Sequence, residues 1–130
     1  SFPLSQFQLS PISQFFPMTH YSEEMNKLKD TVLAMASHSE SAVARSMRAL
    51  VERDDALALK VQDDDNIIDQ FEIEVDDLAL HLLTKAPLAT DLRFITVAMK
   101  ISQNLERVGD EACTIARRAH DLGGGPQPKP

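Results

Sequence analysis

From Met25 onward, apolar residues recur at alternating steps of three and four. Met25, Leu28, Val32, Met35, Ala42, Met47 and Leu50 form a first run that no Pro or Gly interrupts. At 3.6 residues per turn this spacing is one apolar stripe on a helix. Ser22, followed by Glu23 and Glu24, reads as its N-cap with acids in the first turn, so the expected helix is about 30 residues, ~45 Å long. Arg53-Asp54-Asp55 predicts a tight turn, with an Asp placed to cap the next helix. The second run, Leu57, Val61, Asp64, Ile68, Phe71, Val75, Leu78 and Leu82, steps by four and three without a slip. After Thr84-Lys85-Ala86, Pro87 is placed at the first position of a third helix, where its missing N–H is harmless. There Phe94, Ala98, Ile101, Leu105, Val108, Ala112, Ile115 and Ala119 make a third seam, ending near Asp121. Three long helices, two short connections and no strand signal predict an all-α fold: an up-down-up antiparallel three-helix bundle over residues 18–122.

The flanks differ from this core. Ser1 to Pro17 holds no charged residue, three prolines and four of the six phenylalanines. It lacks the basic start and unbroken apolar run of a secretory signal, and prolines at this density oppose a helix. Residues 1–17 are therefore expected to be a leader or a disordered arm. Residues 123–130, Gly-Gly-Gly-Pro-Gln-Pro-Lys-Pro, read as a flexible tail.

Composition narrows the chemistry. One domain of 130 residues is long enough for a single core. A net charge of -7 without a basic stripe argues against nucleic acid. It is compatible with cations or basic partner surfaces, although a solvated acidic surface is its commoner meaning. No stretch is long and apolar enough to insert in a bilayer. Cys113 is the only cysteine; it is expected to be a buried, inert thiol in a reducing, cytoplasmic setting.

Acids are the candidate functional residues. Asp64 occupies a seam position, and beside it Asp65, Asp69, Glu72 and Asp76 form one ridge whose like charges repel at each helical turn. Solvent, neighbouring bases or bound cations must offset that repulsion. Pairs four apart occur at Asp65/Asp69, Glu72/Asp76 and Glu106/Asp110, about as often as 20 acids in 130 positions produce by chance. Gly109 lies inside the Glu106/Asp110 pair despite a cost of ~1 kcal/mol for Gly in a helix; a close backbone approach would explain it. His81 follows Asp77 by four but has no helix-matched partner among His20, His38 and His120, so all four are taken as surface or core histidines. The Glu-x-x-His signature of di-iron bundles, a nucleophile elbow and a phosphate-cradling loop are absent.

One set of residues goes further. Asn104-Leu105-Glu106-Arg107-Val108-Gly109-Asp110-Glu111-Ala112-Cys113-Thr114-Ile115-Ala116 resembles the signature of the PhoU phosphate-uptake regulators. Pro87 to Arg93 resembles the opening of the same helix, Asp65-Asn66-Ile67-Ile68-Asp69 a segment of the second, and Met18 to Tyr21 the family's start. The resemblance covers Met18 to about Leu122. It implies a cytoplasmic, non-enzymatic, metal-binding regulatory or adaptor protein of phosphate homeostasis. Such a protein represses phosphate-starvation signalling through the phosphate ABC transporter and the phosphate sensor histidine kinase. It further implies a metal site of Asp65, Asp69, Glu106 and Asp110, whose oxygen donors suit hard ions such as Fe, Mn, Mg or Ca, with Zn also in range. Arg93 and Arg107 are expected in salt bridges to neighbouring acids. The family carries two tandem three-helix repeats and this chain one; either it is a piece of a two-repeat protein or two copies pair, and a homodimer is expected. A structural helical module without metal and a carboxylate-bridged metal enzyme are the alternatives.

Overall fold

A computed structural model describes residues 17–85 and 87–123. Of the expected arm at 1–17 and tail at 123–130, residues 1–16 and 124–130 lie outside the described residues, while Pro17 and Gly123 belong to helices. Three α-helices follow in order: α1, Pro17–Glu52; α2, Asp55–Leu83; and α3, Ala89–Gly123. They form the expected three-helix bundle. Polar contacts give the directions. Tyr21 Oη donates to Asp91 Oδ2, Ser39 Oγ to the Leu105 carbonyl and Arg53 Nη1 to that of Leu122, so α1 and α3 run parallel. Glu24 meets His81 and Arg45 meets Asp64, so α2 runs antiparallel to α1.

The turns follow from local chemistry. Helix α1 begins at Pro17, five residues before the expected Ser22 cap, because a proline at the first helical position costs no hydrogen bond. At its far end Arg53 adopts φ 54 and the Asp54 N–H bonds the Ala49 carbonyl at 3.0 Å. That is a Schellman closure with arginine where glycine is usual. Asp54 then caps α2 as expected, its side chain accepting from the Leu57 N–H at 3.0 Å. Helix α3 starts at Ala89 rather than Pro87: Leu88 supplies the first accepting carbonyl, to the Leu92 N–H, and Pro87 stands just outside.

The core divides into two clusters along the axis. Leu28, Val75, Ala79, Leu82, Ile95 and Ala98 fill one end; Met35, Ala42, Ala49, Ala58, Val61, Ile68, Ala112, Ala116 and Ala119 fill the other. The α2 seam is as read from the sequence: Val61, Ile68, Val75 and Leu82 are buried, with Leu57, Phe71 and Leu78 half-buried beside them. The α3 seam is so only in part: Ala98, Ala112 and Ala119 are buried and Leu105 and Ile115 half-buried as read, but Phe94, Ile101 and Val108 are exposed, and Ile95, Ser102, Gly109 and Ala116 complete the buried line. On α1, Ser46 and Ala49 replace Met47 in the same way. Long helices packed this closely admit small residues on the axis and turn large ones outward. The buried hydroxyls find partners within the bundle: Ser46 Oγ donates to the Val43 carbonyl, Thr31 Oγ1 to that of Lys27, and Ser102 Oγ lies 3.4 Å from Met35 Sδ.

Because Asp54 both closes α1 and caps α2, Asp54→Ala should destabilise the fold by about 1 kcal/mol. Urea unfolding should report this as a lower midpoint at unchanged slope.

Candidate metal centre

Two neighbouring aspartates on α2 meet opposite environments. Asp64, in the apolar seam, is held by Arg45 Nη1 at 2.9 Å and Lys60 Nζ at 3.7 Å. That pairing accounts for a carboxylate where an apolar residue would otherwise stand. Asp65, one residue on, turns toward α3. With Asp69 and Glu72 on the next turns of α2, it faces Asp110 and Glu106 across the helix contact.

Gly109 makes the contact possible. It is buried, and a Cβ built on it would lie 3.0 Å from Ile68 Cδ1, 3.4 Å from Ile68 Cγ2 and 3.5 Å from Asp65 Oδ1. Even a methyl there would press on Ile68, so that its side chain or the helix spacing would have to give by a few tenths of an ångström. The glycine that weakens α3 as a helix thus lets the backbone sit against α2 beside the acids.

At this contact one carboxylate oxygen each from Asp65, Asp69 and Asp110 lie within 4.8 Å of one another. Hard divalent cations hold oxygen ligands at roughly 2.0–2.6 Å, so ligands on opposite sides of one ion sit roughly 4–5 Å apart. The three oxygens therefore fit around one such ion. Glu106, the fourth residue of the expected set, stands beside them through a hydrogen bond with Asp110. That bond, partial burial and the charges of Asp110, Glu72 and Asp69 push its carboxyl from 4.5 up to about 7. Asp65 is raised by burial and by Asp69 and Asp110, with Arg117 opposing. Glu72 is raised by burial and then by Asp76, Asp69 and Asp110. These shifts have one origin: carboxylates are crowded together, half out of water, without enough cations of their own.

Glu72 belongs to this cluster and was left out of the site expected from sequence. Its place on the Asp65–Asp69–Asp76 ridge was the available signal. Cys113 borders the cluster too and is half-buried rather than buried as expected; burial and the charge of Asp65 raise its thiol. His81 pairs with Glu24 at 2.7 Å, His120 lies 3.7 Å from Asp55, and His38 packs on Phe71 with ring centroids 5.2 Å apart. None of these three joins the acids. Arg93 and Arg107 correct the sequence reading: both are exposed, and among the described residues neither forms an ion pair. They lie on the outermost ridge of α3, whereas Glu106 and Asp110 turn toward α2.

Fold and site define a class: an all-helical domain whose second and third helices meet over a carboxylate cluster. The family model described as the PhoU domain matches residues 32–119, and the chain belongs to the PhoU family. It is 38% identical over 113 residues to the phosphate-specific transport system accessory protein PhoU homolog of Rhizobium meliloti, covering 86% of this chain and 48% of that one. It is 36% identical over 103 residues to the homolog of Pseudomonas aeruginosa, covering 78% and 43%. The crystal structure of PhoU from Pseudomonas aeruginosa superposes with a TM-score of 0.77 at 36% identity, over 79% of this chain and 50% of that one. The chain thus spans about half the length of the relatives it matches. The family is one of accessory proteins, not of enzymes. Among the described residues no helix is long and apolar enough to cross a membrane.

The Glu106 shift has a defined sign. The metal-free folded chain keeps a proton that the unfolded chain releases above 4.5, so this contribution to stability is full below that value and is lost as pH rises through about 7. Chelator-treated protein should therefore unfold at lower urea at pH 8 than at pH 5.5. Glu106→Gln should flatten the dependence; an identical slope in the variant would refute the assignment.

Proposed function

We propose that the chain is a cation-binding regulatory unit of phosphate homeostasis. In this reading a hard metal ion held by Asp65, Asp69 and Asp110, with Glu106 beside them, fixes the α2–α3 face. The observation that carries it is the convergence of three carboxylate oxygens within one ion's reach on a contact that Gly109 permits. An ion there supplies the positive charge the crowded acids lack. All-oxygen donors favour Fe, Mn, Mg or Ca over soft metals, with Zn accepted less readily.

The names of the relatives support the regulatory part, since they are accessory proteins of a phosphate-specific transport system. We assign this chain the same setting: cytoplasmic, acting with the phosphate ABC transporter and the phosphate sensor histidine kinase to repress starvation signalling. Two copies are proposed to pair. Large apolar side chains exposed on α1 and α2 as well as α3, among them Leu33, Val51, Ile73 and Leu80, support an assembly larger than one chain.

Elemental analysis of purified protein tests the site. The wild-type chain should retain about one hard divalent or ferric ion per chain after dialysis, and Asp69→Ala plus Asp110→Ala should lose it at unchanged helix content. Metal retained by the double variant would rule out the site as drawn, and none in either protein would favour a metal-free helical module. Light scattering on the same samples should give twice the 14.5 kDa chain mass; a clean monomer would count against pairing.

A further inference from the structure

The acid cluster uses the side of α3 that faces α2. The opposite side carries a second pattern. Phe94, Ile101 and Val108 recur every seven residues, with Val97 between the first two, and all four are exposed, Val97 by 46%. One step before each heptad member stands a cation, Arg93, Lys100 and Arg107, each also exposed. Among the described residues none of the three forms an ion pair. In a chain of net charge -7 this is a local reversal of sign in register with an apolar stripe, ending where the exposed Glu111 stands four residues after Arg107.

An apolar line at seven-residue spacing, edged by charge of one sign, is how one helix receives another: the apolar line packs, and the edge charges choose the partner. We infer that the outer face of α3 is a docking surface for an amphipathic helix of another protein, with apolar residues in heptad spacing and carboxylates beside them. Two observations set the occupant. The edge is basic and unpaired, so the complement is acidic. Pairing of α3 with α3 of a second copy would set Arg93, Lys100 and Arg107 against one another. The inference does not depend on whether the acid cluster holds metal.

The full chain would be titrated against a fluorescent designed helix with Leu and Ile in heptad positions and Glu beside them, and against its Lys-for-Glu counterpart. The acidic helix should bind on the order of tenfold tighter, and its binding should weaken between about 50 and about 300 mM salt. Lys100→Glu plus Arg107→Glu should reverse the preference, and Ile101→Asp should abolish binding of both. All three positions are exposed, so helix content should not change. Equal affinity for both peptides would overturn the inference, as would an acidic preference untouched by the double variant. So would a loss of self-association as the variant's only effect, or binding of anionic phospholipid vesicles in preference to the acidic helix.

Discussion

The packing of Gly109 against Ile68 sets the geometry on which the rest of the site depends. With a Cβ there, the nearest atom, Ile68 Cδ1, would lie at 3.0 Å, and either that side chain or the closeness of α3 to α2 would have to give. That spacing brings Asp110 to Asp65 and Asp69. The same demand for closeness runs along the bundle axis, where Ala42, Ala49, Ser46, Ser102, Ala112 and Ala116 are buried. A thin interior makes a long, narrow bundle whose larger apolar side chains partly face outward. The acid face and the exposed stripe of α3 are two results of one packing choice.

Electrostatics then separates structure from function along α2. Asp64 and Asp65 are adjacent and identical in chemistry, yet one is paired to Arg45 and Lys60 while the other is raised by the charges of Asp69 and Asp110, which Arg117 opposes. The first pair holds α1 against α2. The second leaves the folded chain carrying repulsion that solvent relieves only in part, as the raised Glu106 carboxyl shows. A bound hard cation would convert that repulsion into attraction, so occupancy of the site and stiffness of the α2–α3 face would rise together.

How much of this was legible in the sequence depended on residue size. The α2 seam could be read because its buried members are Val, Ile and Leu. The α3 seam came out one position off at three of its places because periodicity weights Phe94, Ile101 and Val108 over Ile95, Ser102 and Gly109, and in a close-packed bundle the small residues go inside. The acid pairs were mute by spacing alone, and only the match of the segment around Gly109 to a known family joined Asp65 and Asp69 to Glu106 and Asp110. Glu72 was missed because membership of a site across two helices depends on their rotation, which no single-helix pattern contains. Arg107 was misassigned for the same reason, since its sequence neighbours Glu106 and Asp110 point the other way; beside Arg93, Asp91 is engaged by Tyr21 instead.

The central claim is that helix packing alone brings these carboxylates to one ion. Anomalous diffraction from crystals grown with manganese tests it most directly. The account predicts an anomalous peak within about 2.0–2.6 Å of oxygens from Asp65, Asp69 and Asp110, with Gly109 still packed on Ile68. Manganese ordered only elsewhere, or those three side chains turned apart with no ion between them, would contradict it.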